Sequence, residues 1–173
     1  MIRTIGVAIA IPEPWATQLN DARLEAGDPL AASVPAHITL LPPTELTEAE
    51  RKPVDEHLAE AASRHRPFEL HLRGTGSFRP VTDVVFVAVA TGISECELLE
   101  AEIRRGPLDR ELRFPYHPHV TVAHDVPGES LDRAYDGLGD FDARFTVRGF
   151  TLFEHGDDGR WRPEREFPFG GEG

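Results

Sequence analysis

The chain has 173 residues, of which 40% are hydrophobic and 28% are charged, and its net charge at neutral pH is −12. This acidity argues against a general binding surface for long duplex nucleic acid, and no apolar run approaches the ~20 residues that cross a membrane. Cys96 is the only cysteine, so no internal disulfide can form. We therefore expect a cytoplasmic protein that does not bind membranes, with a monomer as the default assembly.

Apolar periodicity in the first half of the chain predicts three strands and two helices. In chain order these are strand 5–10, helix 15–26, strand 36–41, helix 47–65 and strand 68–73. A capping-box pattern formed by Thr47 and Glu50 marks the start of the second helix. The Pro42-Pro43 pair is predicted to end the second strand, and residues 74–83 are predicted to be a loop.

The second half of the chain predicts a similar succession of elements. In chain order these are strand 84–89, helix 94–105, strand 119–123, helix 130–138, strand 141–153 and strand 161–167. Gly149 is expected to bend the long strand, and Asp158-Gly159 to form a hairpin turn before the last strand. The tail, residues 170–173, is expected to fray.

Two matching tripeptides, His37-Ile38-Thr39 and His119-Val120-Thr121, lie in predicted strands. Residues i and i+2 of a strand point to the same face, so each tripeptide places an imidazole beside a hydroxyl and an apolar residue on the opposite face. Two such pairs facing each other would surround a small anion with two proton-transfer groups and two hydroxyl donors. The alternative is that these polar residues are only the solvated face of a sheet.

The position of the two tripeptides favours the functional interpretation. Each follows a predicted strand and helix, at an offset of 32 residues from Ile5 to His37 and of 34 residues from Val85 to His119. The chain therefore reads as two copies of one unit, about 1–75 and 80–169, within a single bilobal domain over residues 1–173.

These residues resemble the 2H phosphoesterase superfamily, which includes the proteins named 2′-5′ RNA ligases and cyclic phosphodiesterases. That family is defined by two His-x-Thr/Ser motifs with an apolar middle residue, one in each lobe. Further segments resemble the family, namely Gly76-Ser77-Phe78, Phe114 with Pro118, and the closing hairpin with Gly159-Arg160-Trp161 and Phe167. Leu41-Pro42-Pro43 departs from the apolar–glycine ending of many ligase-named members, which leaves the substrate open.

The resemblance implies an α+β fold of two pseudo-symmetric lobes, each an antiparallel sheet with outer helices, around a central groove. It also implies hydrolysis of a cyclic phosphodiester without metal or cofactor. The substrate would be a 2′,3′-cyclic phosphate on a nucleotide or RNA end, opened to a 2′-phosphate, and the reverse 2′-5′ ligation follows by microscopic reversibility. Histidine suits both proton transfers near neutral pH. We assign His119 as base and His37 as acid, although the near-equivalence of the two sites leaves the reverse assignment open, with Thr39 and Thr121 donating to the non-bridging oxygens.

Five further residues are candidates for substrate binding. Phe78, Arg79 and Tyr116 would stack on a base or bind its phosphate, although loop packing explains them equally well. His71 and Arg73 share the polar face of their strand and would reach the groove, although plain solvent exposure is the simpler explanation.

Two rival functions remain open from the sequence. His117 and His119 share a strand face and, with His124 and Asp125 nearby, could belong to a metal hydrolase, but this leaves His37 and the repeat unexplained. A family member that binds nucleotides without catalysis is the second rival. A basic cluster ahead of His119 is either a solvated helix end or a phosphate-binding patch, and consists of Arg104, Arg105, Arg110 and Arg113.

Overall fold

A computed structural model describes residues 1–112 and 114–170. Arg113 of the predicted basic cluster and residues 171–173 of the predicted tail lie outside the described residues. Within the described part, eight strands and four α-helices follow one another. In chain order they are β1 (Ile2–Ala10), α1 (Trp15–Glu25), β2 (His37–Thr47), α2 (Glu48–Ser63), β3 (Phe68–Ser77), β4 (Val84–Thr91), α3 (Ile93–Ile103), β5 (His119–His124), α4 (Gly128–Gly137), β6 (Asp142–Val147), β7 (Gly149–His155) and β8 (Trp161–Pro168). Two short 3₁₀ helices cover Pro29–Ala32 and Gly106–Leu108.

The strands form two four-stranded sheets, in the orders β2-β1-β7-β8 and β5-β4-β3-β6. Every neighbouring pair is antiparallel. The predicted α+β class, with two antiparallel sheets and helices, is confirmed. The two strands that carry the tripeptides, β2 and β5, are edge strands of their sheets and contact each other.

The two sheets do not coincide with the repeat units of about 1–75 and 80–169. Strand β3, which the sequence assigned to the first unit, pairs with β4 and β6 in the second sheet. Strands β7 and β8 return to the first sheet. The predicted strand 141–153 is in fact two strands in different sheets, with Gly149 starting the second one. A Cβ atom on Gly149 would lie 2.4 Å from the carbonyl oxygen of Phe167, so only glycine permits this close approach.

The prolines at 42 and 43 do not end β2, so that prediction was wrong. Leu41 pairs with Val7 and Thr44 pairs with Ile5, which leaves the two prolines opposite the single residue Gly6 in a bulge. Proline cannot donate to a ladder but is tolerated at a bulge on an edge strand. The predicted capping box is confirmed, because both the backbone nitrogen and the hydroxyl of Thr47 donate to Glu50 Oε1 over 3.0 Å.

The core lies between the sheets and helices. One helix from each half of the chain packs against a strand from the other half. Helix α1 packs against β5, and helix α3 packs against β2. Ile38 and Val120, the middle residues of the two tripeptides, are both fully buried in this core. Among the described residues no helix is both long and apolar enough to span a lipid bilayer.

Candidate active site

The two His-x-Thr tripeptides lie at corresponding points of the two sheets. In the first sheet His37 pairs with Ala10, and in the second His119 pairs with Ala88. An alanine is therefore the cross-strand neighbour of each motif histidine. Burial of the apolar middle residue forces the histidine and threonine of each tripeptide to the opposite face, where all four are half-buried.

Both imidazoles are held by the same local hydrogen bond. His37 Nδ1 lies 2.7 Å from the carbonyl oxygen of Pro35, and His119 Nδ1 lies 2.6 Å from that of His117. A carbonyl oxygen can only accept, so Nδ1 is the protonated nitrogen of each ring. In the neutral imidazole, Nε2 then carries the lone pair and is the atom available for proton transfer.

The ring of His119 is packed edge-on against two phenylalanines. Its centroid lies 5.0 Å from that of Phe78 and 5.3 Å from that of Phe86. Phe86 in turn fits over Gly76, where an added Cβ would lie 2.6 Å from the Phe86 ring. The glycine of the Gly76-Ser77-Phe78 element therefore admits the ring that supports His119.

A hydrogen bond joins the two motif regions directly. The hydroxyl of Tyr116, in the loop before β5, donates over 2.8 Å to the carbonyl oxygen of Thr39 on β2. Burial is the main reason that the pKa of the Tyr116 phenol is raised well above its ordinary range, so the phenol keeps its proton and remains a donor.

Burial also lowers the pKa of both motif histidines below the ordinary value of 6.5, because the charged imidazolium loses hydration. The hydrogen bonds at Nδ1 oppose this effect. Nearby positive charge lowers each pKa further, from Arg23 at His37 and from His117 and His37 at His119.

Two adjoining cavities open at the motifs and share Thr39 and Pro42. The first, of about 500 Å³, is largely apolar and aromatic, and is lined by Thr39, Pro42, Phe78, Val81, Thr82, Leu112, Phe114, Pro115, Tyr116, His117 and His119. The second, of about 360 Å³, is lined by Gly6, Val7, Ala8, Arg23, Leu30, Val34, His37, Thr39, Leu41, Pro42, Pro43, Thr121, His124, Phe153 and Trp161. Each of the four motif residues thus lines one or both of these cavities.

The structure places the five predicted binding residues in different surroundings. Phe78 and Tyr116 line the first cavity. Arg79 instead pairs with Asp132 over 2.8 Å. His71 is buried, with Nε2 3.0 Å from an oxygen of Asp142, and Arg73 is exposed on the same strand. Neither Arg79, His71 nor Arg73 lines the two cavities.

The three described arginines of the basic cluster ahead of His119 line neither cavity. They approach carboxylates instead, Arg104 at Glu100, Arg105 at Glu102 and Arg110 at Glu50. The solvated helix end is therefore the better description of these residues.

Sequence reasoning missed three residues that the structure places at the site. Phe86 was hidden in an apolar strand, and Trp161 was recognised only as part of the closing hairpin. Arg23 could have been found, because it follows Leu19 by four residues and both side chains lie on the buried face of α1.

The metal hypothesis requires a third ligand near His117 and His119. No group of three or more His, Cys, Asp or Glu side chains that could hold a metal ion occurs among residues 1–112 and 114–170. His124 lies at the other end of β5 from His119, about 16 Å along an extended strand, where it approaches Asp125.

Paired imidazoles and hydroxyls on two antiparallel sheets agree with the resemblance to the 2H phosphoesterase class of protein. The sequence model of the 2′-5′ RNA ligase superfamily matches residues 11–159, and the chain belongs to this family. A Bacillus pumilus protein named "Putative phosphoesterase" is 33% identical over 151 residues, which cover 84% of this chain and 86% of that protein.

Solved structures agree on the fold. A Thermus thermophilus protein aligns with a TM-score of 0.68 at 25% identity and covers 97% of this chain and 98% of its own. LigT of E. coli in complex with NADP+ aligns with a TM-score of 0.66 at 20% identity and covers 99% of this chain and 100% of its own. Other LigT structures hold 3′-AMP or ATP. Family membership supports an enzyme of the 2H phosphoesterase type.

Proposed function

We propose that the protein hydrolyses a cyclic phosphodiester without a metal ion, taking a 2′,3′-cyclic phosphate on a nucleotide or RNA end and opening it to a 2′-phosphate. The observation that carries this proposal is the matched pair of hydrogen bonds at His37 and His119 Nδ1. They leave two like imidazoles with Nε2 free for proton transfer, which is the pair of groups that this hydrolysis needs.

The chemistry follows from two imidazoles in opposite protonation states. A neutral imidazole takes a proton from water at Nε2 as the water oxygen bonds to phosphorus. The bond from phosphorus to the 3′ oxygen breaks, and the protonated imidazole gives its proton to that oxygen. The sequence assignment of His119 as base and His37 as acid is retained. The hydroxyls of Thr39 and Thr121 donate to the non-bridging oxygens, where negative charge grows in the transition state.

The cavities favour a small nucleotide or a chain end as substrate. The first cavity has the size and the apolar, aromatic wall of a small-molecule site, which suits a nucleobase. A net charge of −12 disfavours long duplexes. The nucleotides bound to LigT support a nucleotide ligand for this chain as well. Ligation through a 2′-5′ bond would use the same groups, with a 5′-hydroxyl in place of water as the group that bonds to phosphorus. A monomeric state and a cytoplasmic location stay predictions from the sequence.

The test is turnover of a panel of 2′,3′-cyclic nucleotides in the presence of EDTA by wild type, His37→Ala and His119→Ala. Loss of general acid–base catalysis should lower kcat by ~10²–10⁴-fold in each variant. His65→Ala is the matched control, because His65 follows the end of α2 and lines neither cavity. It should retain wild-type kcat.

Other outcomes separate the rivals. Tight nucleotide binding without turnover would indicate the binding-only family member. Turnover that EDTA abolishes and added metal restores would overturn the metal-independent mechanism. The position of the phosphate on the product, read by NMR, decides between a 2′- and a 3′-phosphomonoester.

A further inference from the structure

Arg23 is a buried cation beside the motif histidine of the first sheet. Only 6% of its surface is exposed, and its Nε lies 2.7 Å from Asp28 Oδ2. The other oxygen of Asp28 accepts from the backbone nitrogen of Leu30 over 2.9 Å and caps the short helix Pro29–Ala32. The guanidinium is therefore held in one orientation by a carboxylate that is itself fixed.

This ion pair uses only the Nε–H group of the Arg23 guanidinium. Within residues 1–112 and 114–170, Arg23 makes its one side-chain hydrogen bond from Nε, and none from Nη1 or Nη2. No fully buried side-chain nitrogen or oxygen lacks a hydrogen-bond partner in this part of the chain, so the two terminal nitrogens are reached from outside. Arg23 lines the second cavity, which leaves these terminal N–H groups as the donors that it could offer to a ligand there.

The second cavity is suited to an anion. Its described lining contains Arg23, His37 and His124 and no aspartate or glutamate, although the protein as a whole is strongly acidic. Asp125, beside His124, is exposed outside the lining. A guanidinium anchored at Nε presents its remaining donors in a fixed plane that matches phosphate geometry.

The two cavities also differ across the pseudo-symmetric site. The first is aromatic and suits a base, whereas the second carries the anchored arginine. Thr39 belongs to both cavities, and because the proposed function has its hydroxyl donate to the reacting phosphoryl group, that group would lie where the cavities meet. We propose that Arg23 binds a second phosphate of the substrate, distinct from the reacting one. This rests on the proposed function and narrows the substrate to a nucleotide or oligonucleotide end that carries a further phosphate at its 5′ position.

The experiment compares adenosine 2′,3′-cyclic phosphate bearing a 5′-hydroxyl with the same compound bearing a 5′-phosphate. Wild type should prefer the phosphorylated substrate through a lower KM. Arg23→Gln should raise KM for that substrate by about 10–100-fold more than KM for the 5′-hydroxyl substrate, since the charged contact with the 5′-phosphate is lost. Arg133→Gln, which removes an exposed arginine outside both cavities, should keep the preference.

Arg23→Gln alone leaves Asp28 buried without its cation, which would destabilise the fold. The double variant Arg23→Gln, Asp28→Asn removes both charges and should show the same loss of preference. If a folded variant still prefers the 5′-phosphorylated substrate, the pair of Arg23 with Asp28 is purely structural and the proposal is overturned. It is also overturned if KM rises by the same factor for both substrates, because Arg23 would then contact the reacting phosphate.

A binding measurement separates this proposal from the proposed function. Calorimetry should show wild type binding adenosine 2′,5′-bisphosphate more tightly than adenosine 2′-phosphate, and the double variant losing the difference. If no cyclic nucleotide is turned over, the proposed function fails while this difference still supports the role of Arg23. Equal affinity of wild type for the two ligands overturns that role.

Discussion

The hydroxyl of Tyr116 donates a hydrogen bond over 2.8 Å to the backbone carbonyl oxygen of Thr39. Tyr116 lies three residues before His119, and Thr39 lies two residues after His37. The bond therefore connects the loop that leads into one motif with the strand that carries the other. Because the phenol is partly buried, water competes weakly for this bond, which helps to fix the separation of the two imidazoles.

Tyr116→Phe should lower kcat by more than the accompanying loss of stability can explain. The free energy of unfolding is expected to fall by about 1–3 kcal/mol, since the Thr39 carbonyl loses a donor. Displacement of one motif should lower kcat by ~10–100-fold, because proton transfer depends steeply on position. Steady-state kinetics and denaturant unfolding measure both effects. Tyr135→Phe, at an exposed phenol, is the control, and equal kcat in the two variants would contradict the positioning role.

The pH dependence of kcat/KM should be bell-shaped with its maximum below pH 6.5. The base must be neutral and the acid protonated, so the lower-pH limb reports the base and the higher-pH limb reports the acid. Burial lowers the pKa of both His37 and His119, so both limbs move to lower pH than two ordinary histidines would give. A profile measured in overlapping buffers at constant ionic strength checks this, and an alkaline maximum would refute it.

Thr39→Val and Thr121→Val should each lower kcat by ~10²–10³-fold, because each removes a hydroxyl that donates to developing charge. Valine keeps the shape of the side chain, so unfolding free energies should change little at these half-buried positions. Thr146→Val removes a hydroxyl that donates to Glu69 instead and serves as the matched control. Unchanged kcat in both motif variants would remove the threonines from the mechanism.

Gly76→Ala should disturb His119 from a distance. The new methyl group would lie 2.6 Å from the ring of Phe86, so this ring could not keep its present position against His119. Overpacking of this kind costs about 1–3 kcal/mol of unfolding free energy, and kcat should fall as well. At Gly137, an added Cβ meets nothing within 4 Å, so Gly137→Ala should keep stability and kcat. Identical behaviour of the two variants would show that the Phe86 contact does not matter.

Local patterns in the sequence were sufficient for most of the elements and for the motif faces. Strand periodicity placed Ile38 and Val120 in the core, and the structure buries both completely. The capping box at Thr47 gave the start of α2 to within a residue. Such features depend on residues within a few positions of each other in the chain, so they can be predicted from the sequence alone.

Features that depend on partners far along the chain were missed. Pro42 and Pro43 continue an edge strand only because Gly6 lies opposite them in a bulge. His71 shares a polar strand pattern with Arg73, yet it turns to Asp142 on a neighbouring strand that is 71 residues away in sequence. No local pattern distinguishes these residues from a strand terminator or from a groove residue.

The sequence by itself determined the pairing of imidazole and hydroxyl in each motif, because alternation along a strand is a property of the backbone alone. Only the tertiary structure decided that β2 and β5 are facing edge strands, that Phe86 supports His119, and that Arg23 enters the cavity of His37. Those relationships are set by sheet order and by the packing of helices from one half onto strands of the other, which arise only when distant segments bury their apolar faces together.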